Sequence, residues 1–85
     1  MHSDTIDKLT EQERKLLELA EAVENGSIEK TTIIISILQD IRKVALEALR
    51  ENELAVLEKV KEIISHEALK TLHQKVPGFL KSVIK

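Results

Sequence analysis

Two long stretches of the chain, residues 28–50 and 53–76, carry aliphatic residues at alternating three- and four-residue steps. That spacing lines side chains up along one side of an α-helix, and a helix with such a row has to bury it against a partner. The partner surface must be aliphatic too, because Phe79 is the only aromatic residue and cysteine is absent. Neither disulfides nor a thiolate metal site can therefore supplement the core. With 85 residues the chain is one domain, of a size that buries only a modest share of its unfolded surface. These constraints predict an all-α fold: a small helical bundle of three main helices plus a short C-terminal helix, completed by oligomerisation.

Residues 1–9 lack a sustained pattern and read as a flexible N-terminus, residues 10–76 as the helical bundle, and residues 77–85 as a short amphipathic C-terminal segment. Thr10 and Glu13 have the spacing of a capping box, which places the start of the first helix at Thr10. Leu16, Leu17, Leu19, Ala20 and Val23 give this helix its apolar stripe, and Asn25-Gly26 closes it. Ser27 can cap the second helix, whose seam runs through Ile33, Ile34, Ile37, Leu38, Ile41, Val44, Ala45, Ala48 and Leu49. Within it, Thr31 to Leu38 has high strand propensity, with two threonines and four isoleucines in eight residues. No second strand is at hand to satisfy a ladder there, so the segment reads as helix, apolar on most sides. Asn52 is a candidate N-cap for the third helix, with a helix running unbroken through this point as the alternative. Leu54, Leu57, Val60, Ile63, Ile64, Ala68, Leu72 and Val76 continue the seam until Pro77-Gly78 ends it. The apolar band of the second helix is broader than two neighbouring helices would cover, which is the reason for expecting self-association.

The same residues speak against most chemistry. No stretch reaches the ~20 consecutive apolar residues of a membrane span, and Met1 to Thr10 is too polar and acidic for a signal peptide, so a soluble, cytoplasmic protein is expected. His66-Glu67-Ala68-Leu69-Lys70 opens like the helical zinc-protease motif, but Lys70 stands where the second histidine belongs. His73 follows His66 by seven residues, about 10 Å along a helix, too far for both to reach one ion. The carboxylates are spread at ordinary surface spacing, and Ser27, Ser36, Ser65 and Ser82 have no flanking nucleophile-elbow glycines. The expectation is a chain with no catalytic residues, no cofactor and no metal.

Leu9-Thr10-Glu11-Gln12-Glu13-Arg14-Lys15-Leu16-Leu17-Glu18-Leu19 resembles the opening of LuxR-type helix-turn-helix domains, and Gly26-Ser27-Ile28-Glu29-Lys30-Thr31-Thr32 resembles the start of their recognition helix. The resemblance implies DNA reading by the second helix, yet the intervening scaffold helix is missing and the face on offer is Ile33, Ile34 and Ile35. Base edges are read by Arg, Lys, Asn and Gln. Charge is unevenly distributed, with a net −4 over residues 1–30 and +3 over residues 67–85, against −2 overall. The function expected is non-enzymatic protein–protein interaction, as a homo-oligomeric bundle (homodimer or higher) or as a small helical subunit bound to another protein. Ile34, Ile37, Leu38, Ile41, Leu57, Val60 and Ile64 would form the contact core, with Phe79 and Leu80 as a docking pair. The alternative is an accessory or regulatory factor of a nucleic-acid-processing complex, touching DNA or RNA weakly through Lys70, Lys75, Lys81 and Lys85.

Overall fold

A computed structural model describes residues 2–75 and Gly78. Four α-helices follow one another: α1 (His2–Glu24), α2 (Thr31–Arg50), α3 (Leu54–Ile64) and α4 (Glu67–Lys75). A single 3-10 turn, Ile28–Lys30, leads into α2, and no strand occurs among the described residues. Thr31 to Leu38 form the first two turns of α2, so burial of the isoleucine row overrides their strand propensity. The first three helices pack on one another and α4 returns onto α1. Thr5 near the start of α1 lines one surface hollow with Glu47 and Ala48 near the end of α2 and Glu53 and Val56 at the start of α3, which gives an up-down-up order.

Each helix contributes one row to the core. Leu9, Leu16, Ala20 and Val23 come from α1, Ile34, Leu38, Ile41 and Ala48 from α2, Val56, Val60 and Ile63 from α3, and Leu69 and Leu72 from α4. Ile6, Leu19, Ile35, Ile37, Val44, Ala45 and Leu57 pack half-buried around this cluster. Removing a fully enclosed member such as Ile41 or Ile63 down to Ala costs about 2–5 kcal/mol, a large part of the stability of so small a domain.

Two residues with left-handed backbones reverse the chain. Gly26 has φ +111°, with the Ser27 N–H donating to the carbonyl of Ala22 at 2.9 Å and its own N–H to Val23 at 3.0 Å. Asn52 repeats this geometry at the end of α2: φ is +57°, Glu53 N–H donates to Ala48 at 2.8 Å, and Asn52 N–H to Leu49 at 3.3 Å. Both are Schellman closures, in which two orphaned carbonyls of the last turn regain donors. The break at Asn52 is therefore real, but this asparagine terminates α2 instead of capping α3, whose N-cap position is Glu53. Ser27 precedes the 3-10 turn without making a side-chain cap hydrogen bond.

Two boundaries depart from expectation. α1 begins at His2, eight residues before Thr10. The Thr10 hydroxyl donates back to the carbonyl of Ile6 at 2.9 Å, as in a helix interior, and no capping box forms. The gain is burial of Leu9, together with half-burial of Ile6, which a start at Thr10 would forgo. The stretch 53–76, expected as one helix, is broken at Ser65-His66. Ser65 N–H and Oγ both donate to the carbonyl of Lys61, at 3.2 and 2.7 Å, which closes α3. The chain can then turn so that Leu69 and Leu72 reach the core. The short helix expected within 77–85, including Phe79, Leu80, Val83 and Ile84, lies outside the described residues.

Asn52 provides a direct test of the hairpin. Asn52→Gly should raise stability by about 0.5–1 kcal/mol and Asn52→Val lower it by about 1–2 kcal/mol, because only the former relieves the left-handed backbone. In thermal denaturation followed by circular dichroism this is a shift of several degrees in opposite directions. Melting temperatures that moved the same way in both variants would rule out the turn.

Candidate functional site

The row Ile6, Leu9, Glu13, Leu16, Ala20, Val23 advances along α1 in steps of three and four, and one of its six members is a carboxylate. Glu13 thus sits in the packed seam of α1 with 14% of its side chain exposed. A carboxylate withdrawn this far from water gains from being paired. Here its two oxygens are divided between two elements: Oε1 accepts from Lys59 Nζ of α3 at 2.9 Å, and Oε2 lies 2.7 Å from His66 Nε2 in the break between α3 and α4. Lys59, itself 16% exposed, also donates to Glu62 one turn on at 2.6 Å. His66 occupies the N-cap position of α4, where its carbonyl accepts from the N–H groups of Leu69 and Lys70 at 3.1 and 3.4 Å.

Burial is the largest single influence on Glu13 and disfavours its charge, yet the hydrogen bonds from Lys59 and His66, reinforced by their charges, outweigh it and hold the carboxyl below the usual range. Lys59 is raised above the ordinary lysine value, first by its hydrogen bond to Glu62 and then by that to Glu13. Both shifts favour the ionised pair. On the wet face of α1, by contrast, Arg14 pairs with Glu11 and Glu18 on the same helix, with more than half of each side chain exposed, a contact of little consequence for stability.

As chemistry, the Glu13 cluster is a tie between elements. A carboxylate-oriented imidazole acts as a general base only with a nucleophile or bound water beside it. The adjacent Ser65 hydroxyl is committed to the Lys61 carbonyl. The hollow alongside, about 470 Å³ and lined by Ile6, Ala55, Glu58, Lys59, Lys61, Glu62 and Ser65, is a surface groove. Among the described residues no group of three or more His, Cys, Asp or Glu side chains is placed to hold a metal ion. No helix among them is long and apolar enough to cross a membrane.

The residues expected to meet a partner divide into three sets. Ile34, Leu38, Ile41 and Val60 are buried within the single chain, and Ile37 and Leu57 are half-buried against that core. Ile64 is on the surface with 54% of its area exposed. Phe79 and Leu80 lie outside the described residues, as do Lys81 and Lys85, while Lys70 is exposed on α4. Ile34 has no exposed surface, so the face that a DNA-reading second helix would have used is turned partly inward.

Among the described residues, large aliphatic side chains remain on the outside in three places, one of them Ile28 in the 3-10 turn before α2, 64% exposed. Ile33, with Ile37 and Leu19, lines a groove of about 450 Å³ between α1 and α2 that also touches Gln12, Lys15, Glu18 and Asp40. The larger group borders the α2–α3 hairpin: Leu46 is 49% exposed, Leu49 and Leu54 are 66% exposed, and Ile64 is 54% exposed. The flank of α2 towards α1 is marked by Ile33, Ile37 and Asp40 in that groove and by Val44 and Glu47 in the hollow with Thr5. At 100° per residue Leu46 and Leu49 lie off this flank, on the side of α2 next to α3. On α3, Lys59 marks the side towards α1, and Leu54, Leu57 and Ile64 share the other. The sequence places Leu49 and Leu54 in the seams, but only the helix phase set by α1 shows that they are left outside. Leu46 falls off the seam spacing altogether, and its exposure has no signal in the periodicity.

Comparison of the chain with known proteins finds no matching family model, no matching curated protein and no matching solved structure.

Replacing Glu13 by Gln removes the charge while keeping the shape, and it should destabilise the protein by about 1–3 kcal/mol at neutral pH. Because the folded-state pKa of Glu13 is depressed, its contribution is complete above the ordinary carboxylate range and is lost as pH falls through the folded value. The gap in chemical-denaturation stability between wild type and Glu13→Gln should therefore narrow on acidification. A gap independent of pH would show that the carboxylate charge plays no part.

Proposed function

We propose that this chain is a non-enzymatic protein–protein interaction module that docks through the outer side of its α2–α3 hairpin. The observation that carries this reading is the concentration of Leu46, Leu49, Leu54 and Ile64 on one side of the hairpin, each about half or more exposed, beside half-buried Leu57. Isolated surface leucines are ordinary, but several on one side of a small domain favour a surface that another molecule covers. In such patches a few central side chains carry most of the binding energy. Leu49 and Leu54 flank the Asn52 turn and are the most exposed of the set, which makes them the principal anchors.

Two forms of assembly use this surface: a homo-oligomeric bundle, or a small helical subunit within a larger complex. The buried Ile34, Leu38, Ile41 and Val60 support either form indirectly by holding the hairpin in shape. The core residues and the docking residues thus play separable parts, which sets up the test.

Leu49→Glu combined with Leu54→Glu should leave helicity by circular dichroism within a few per cent of wild type, since both positions are open to solvent. It should weaken association by at least about 2 kcal/mol, roughly thirtyfold. Ile41→Asp should unfold the chain, because it puts an unpaired charge in the core. The measurements are light scattering over a wide concentration range for self-association and co-purification with bound protein for the heteromeric form. If the double variant assembles as the wild type does in whichever form is seen, the hairpin surface is not the docking site.

A further inference from the structure

We infer that α4 is a hinged flap, which swings off α1 as a unit while α1, α2 and α3 stay folded, and that the contact between His66 and Glu13 is the latch that holds it shut. The inference is independent of the docking role proposed above. Among the described residues α4 packs against α1 and against no other helix to a comparable extent, whereas α1, α2 and α3 each pack against the other two. Leu69 and Leu72 are its buried side chains, fewer than any other helix supplies among those residues. Two buried leucines set against the entropy of ordering nine residues leave closure weak by itself. Opening bares Leu69, Leu72 and the part of α1 beneath them, apolar area that the closed form hides.

The junction leaves each helix complete on its own. On the α3 side, the Lys61 carbonyl accepts from the N–H and the Oγ of Ser65 at 3.2 and 2.7 Å, and the Ile63 carbonyl accepts from the His66 N–H at 3.3 Å. On the α4 side, the His66 carbonyl accepts from the N–H groups of Leu69 and Lys70 at 3.1 and 3.4 Å. These bonds divide at one residue, because the N–H of His66 belongs to the first set and its carbonyl to the second. Rotation about the two backbone bonds at its Cα therefore swings α4 without breaking any of them. The restraint on that rotation comes from the same residue. His66 Nε2 lies 2.7 Å from Glu13 Oε2, and an ionised carboxylate only accepts, so Nε2 is the donor. The imidazole thus ties the hinge to the middle of α1.

The test is native-state hydrogen exchange on the full 85-residue chain, read amide by amide. Relative to the unfolded chain, α4 amides should exchange at least about tenfold faster than those in the middle of α2, where exchange requires global unfolding. Urea below the unfolding transition should speed the α2 amides and barely touch α4, because a small opening exposes little surface. Val56→Ala, at the far end of α3 beside Thr5 and Ala48, weakens the closed and open forms alike. It should speed exchange in α2 by about tenfold and leave α4 unchanged. His66→Ala keeps the backbone hinge and removes the latch, and it should speed α4 exchange at least about fivefold. Glu13→Gln should speed α4 exchange when His66 is present and not once it is Ala, which separates a latch from a general loss of stability. Equal protection of the two helices, or α4 amides that respond to urea and to Val56→Ala as those of α2 do, would overturn the flap. Exchange of α4 indifferent to His66→Ala, or Glu13→Gln acting equally in both backgrounds, would overturn the latch.

Discussion

A single carboxylate in an aliphatic seam decides how this bundle closes. Helices built from Ile, Leu, Val and Ala with broad apolar bands can rotate against each other at little cost, because one aliphatic row packs nearly as well as the next. Glu13 removes that freedom. Placed in the inward row of α1, it requires donors from whichever helices pack there, and it finds Lys59 on α3 and His66 at the start of α4. An inward turn of α3 that lost Lys59 would leave a part-buried carboxylate oxygen without its cation, a penalty that exchanging one aliphatic contact for another does not carry. The phase of α3 about its axis follows, and with it the assignment of Val56, Val60 and Ile63 to the inside and of Leu54, Leu57 and Ile64 to the outer flank. The apolar surface of the hairpin is thus a consequence of a polar contact on the opposite side of the same helix.

The helical rows were legible in the sequence because a row spaced by three and four residues has one physical reading at this length. The break near Asn52 was legible as well, though not the role of the asparagine. N-cap and C-terminal left-handed positions favour the same short amide, and only the backbone sign at residue 52 separates them. The start of α1 was misread for a related reason. Thr10 and Glu13 satisfy the capping-box spacing locally, but the three- and four-residue rhythm continues upstream through Leu9 and Ile6. The carboxylate that would have bonded a backbone N–H is drawn into the seam instead. A carboxylate occupying an otherwise aliphatic register was the available sign that Glu13 serves tertiary structure.

The exposed aliphatic surface was harder to read, and the reason is geometric. Periodicity identifies a band, whereas burial depends on which part of the band each neighbour covers. In α2 the band spans Ile34, Leu38 and Ile41 at its centre and Ile33, Leu46 and Leu49 at its margins. The centre, which looks most like an interface in one dimension, is consumed by the chain's own fold, and the margins are left outside. Ile64 of α3 belongs to the same margin, while Leu57 is caught between the two conditions. The break at Ser65 completes this division: it sends Leu69 and Leu72 back to the core and leaves Ile64 as the last aliphatic residue on the outer side of the hairpin.

If the hairpin docks as proposed, stability and docking are linked through it. The core formed by the described residues is aliphatic throughout, which gives a domain of this length a narrow margin over unfolding. At the turn between α2 and α3, Leu49 and Leu54 leave aliphatic area exposed to water. On the proposed reading, a partner seated there covers that exposed area. Because it binds the folded chain and not the unfolded one, it adds stability in proportion to the logarithm of its concentration above the dissociation constant. The left-handed Asn52 has a second consequence on this view: by closing α2 abruptly it keeps Leu49 and Leu54 on either side of one turn, close enough to serve a single partner and too exposed to be held by the chain alone.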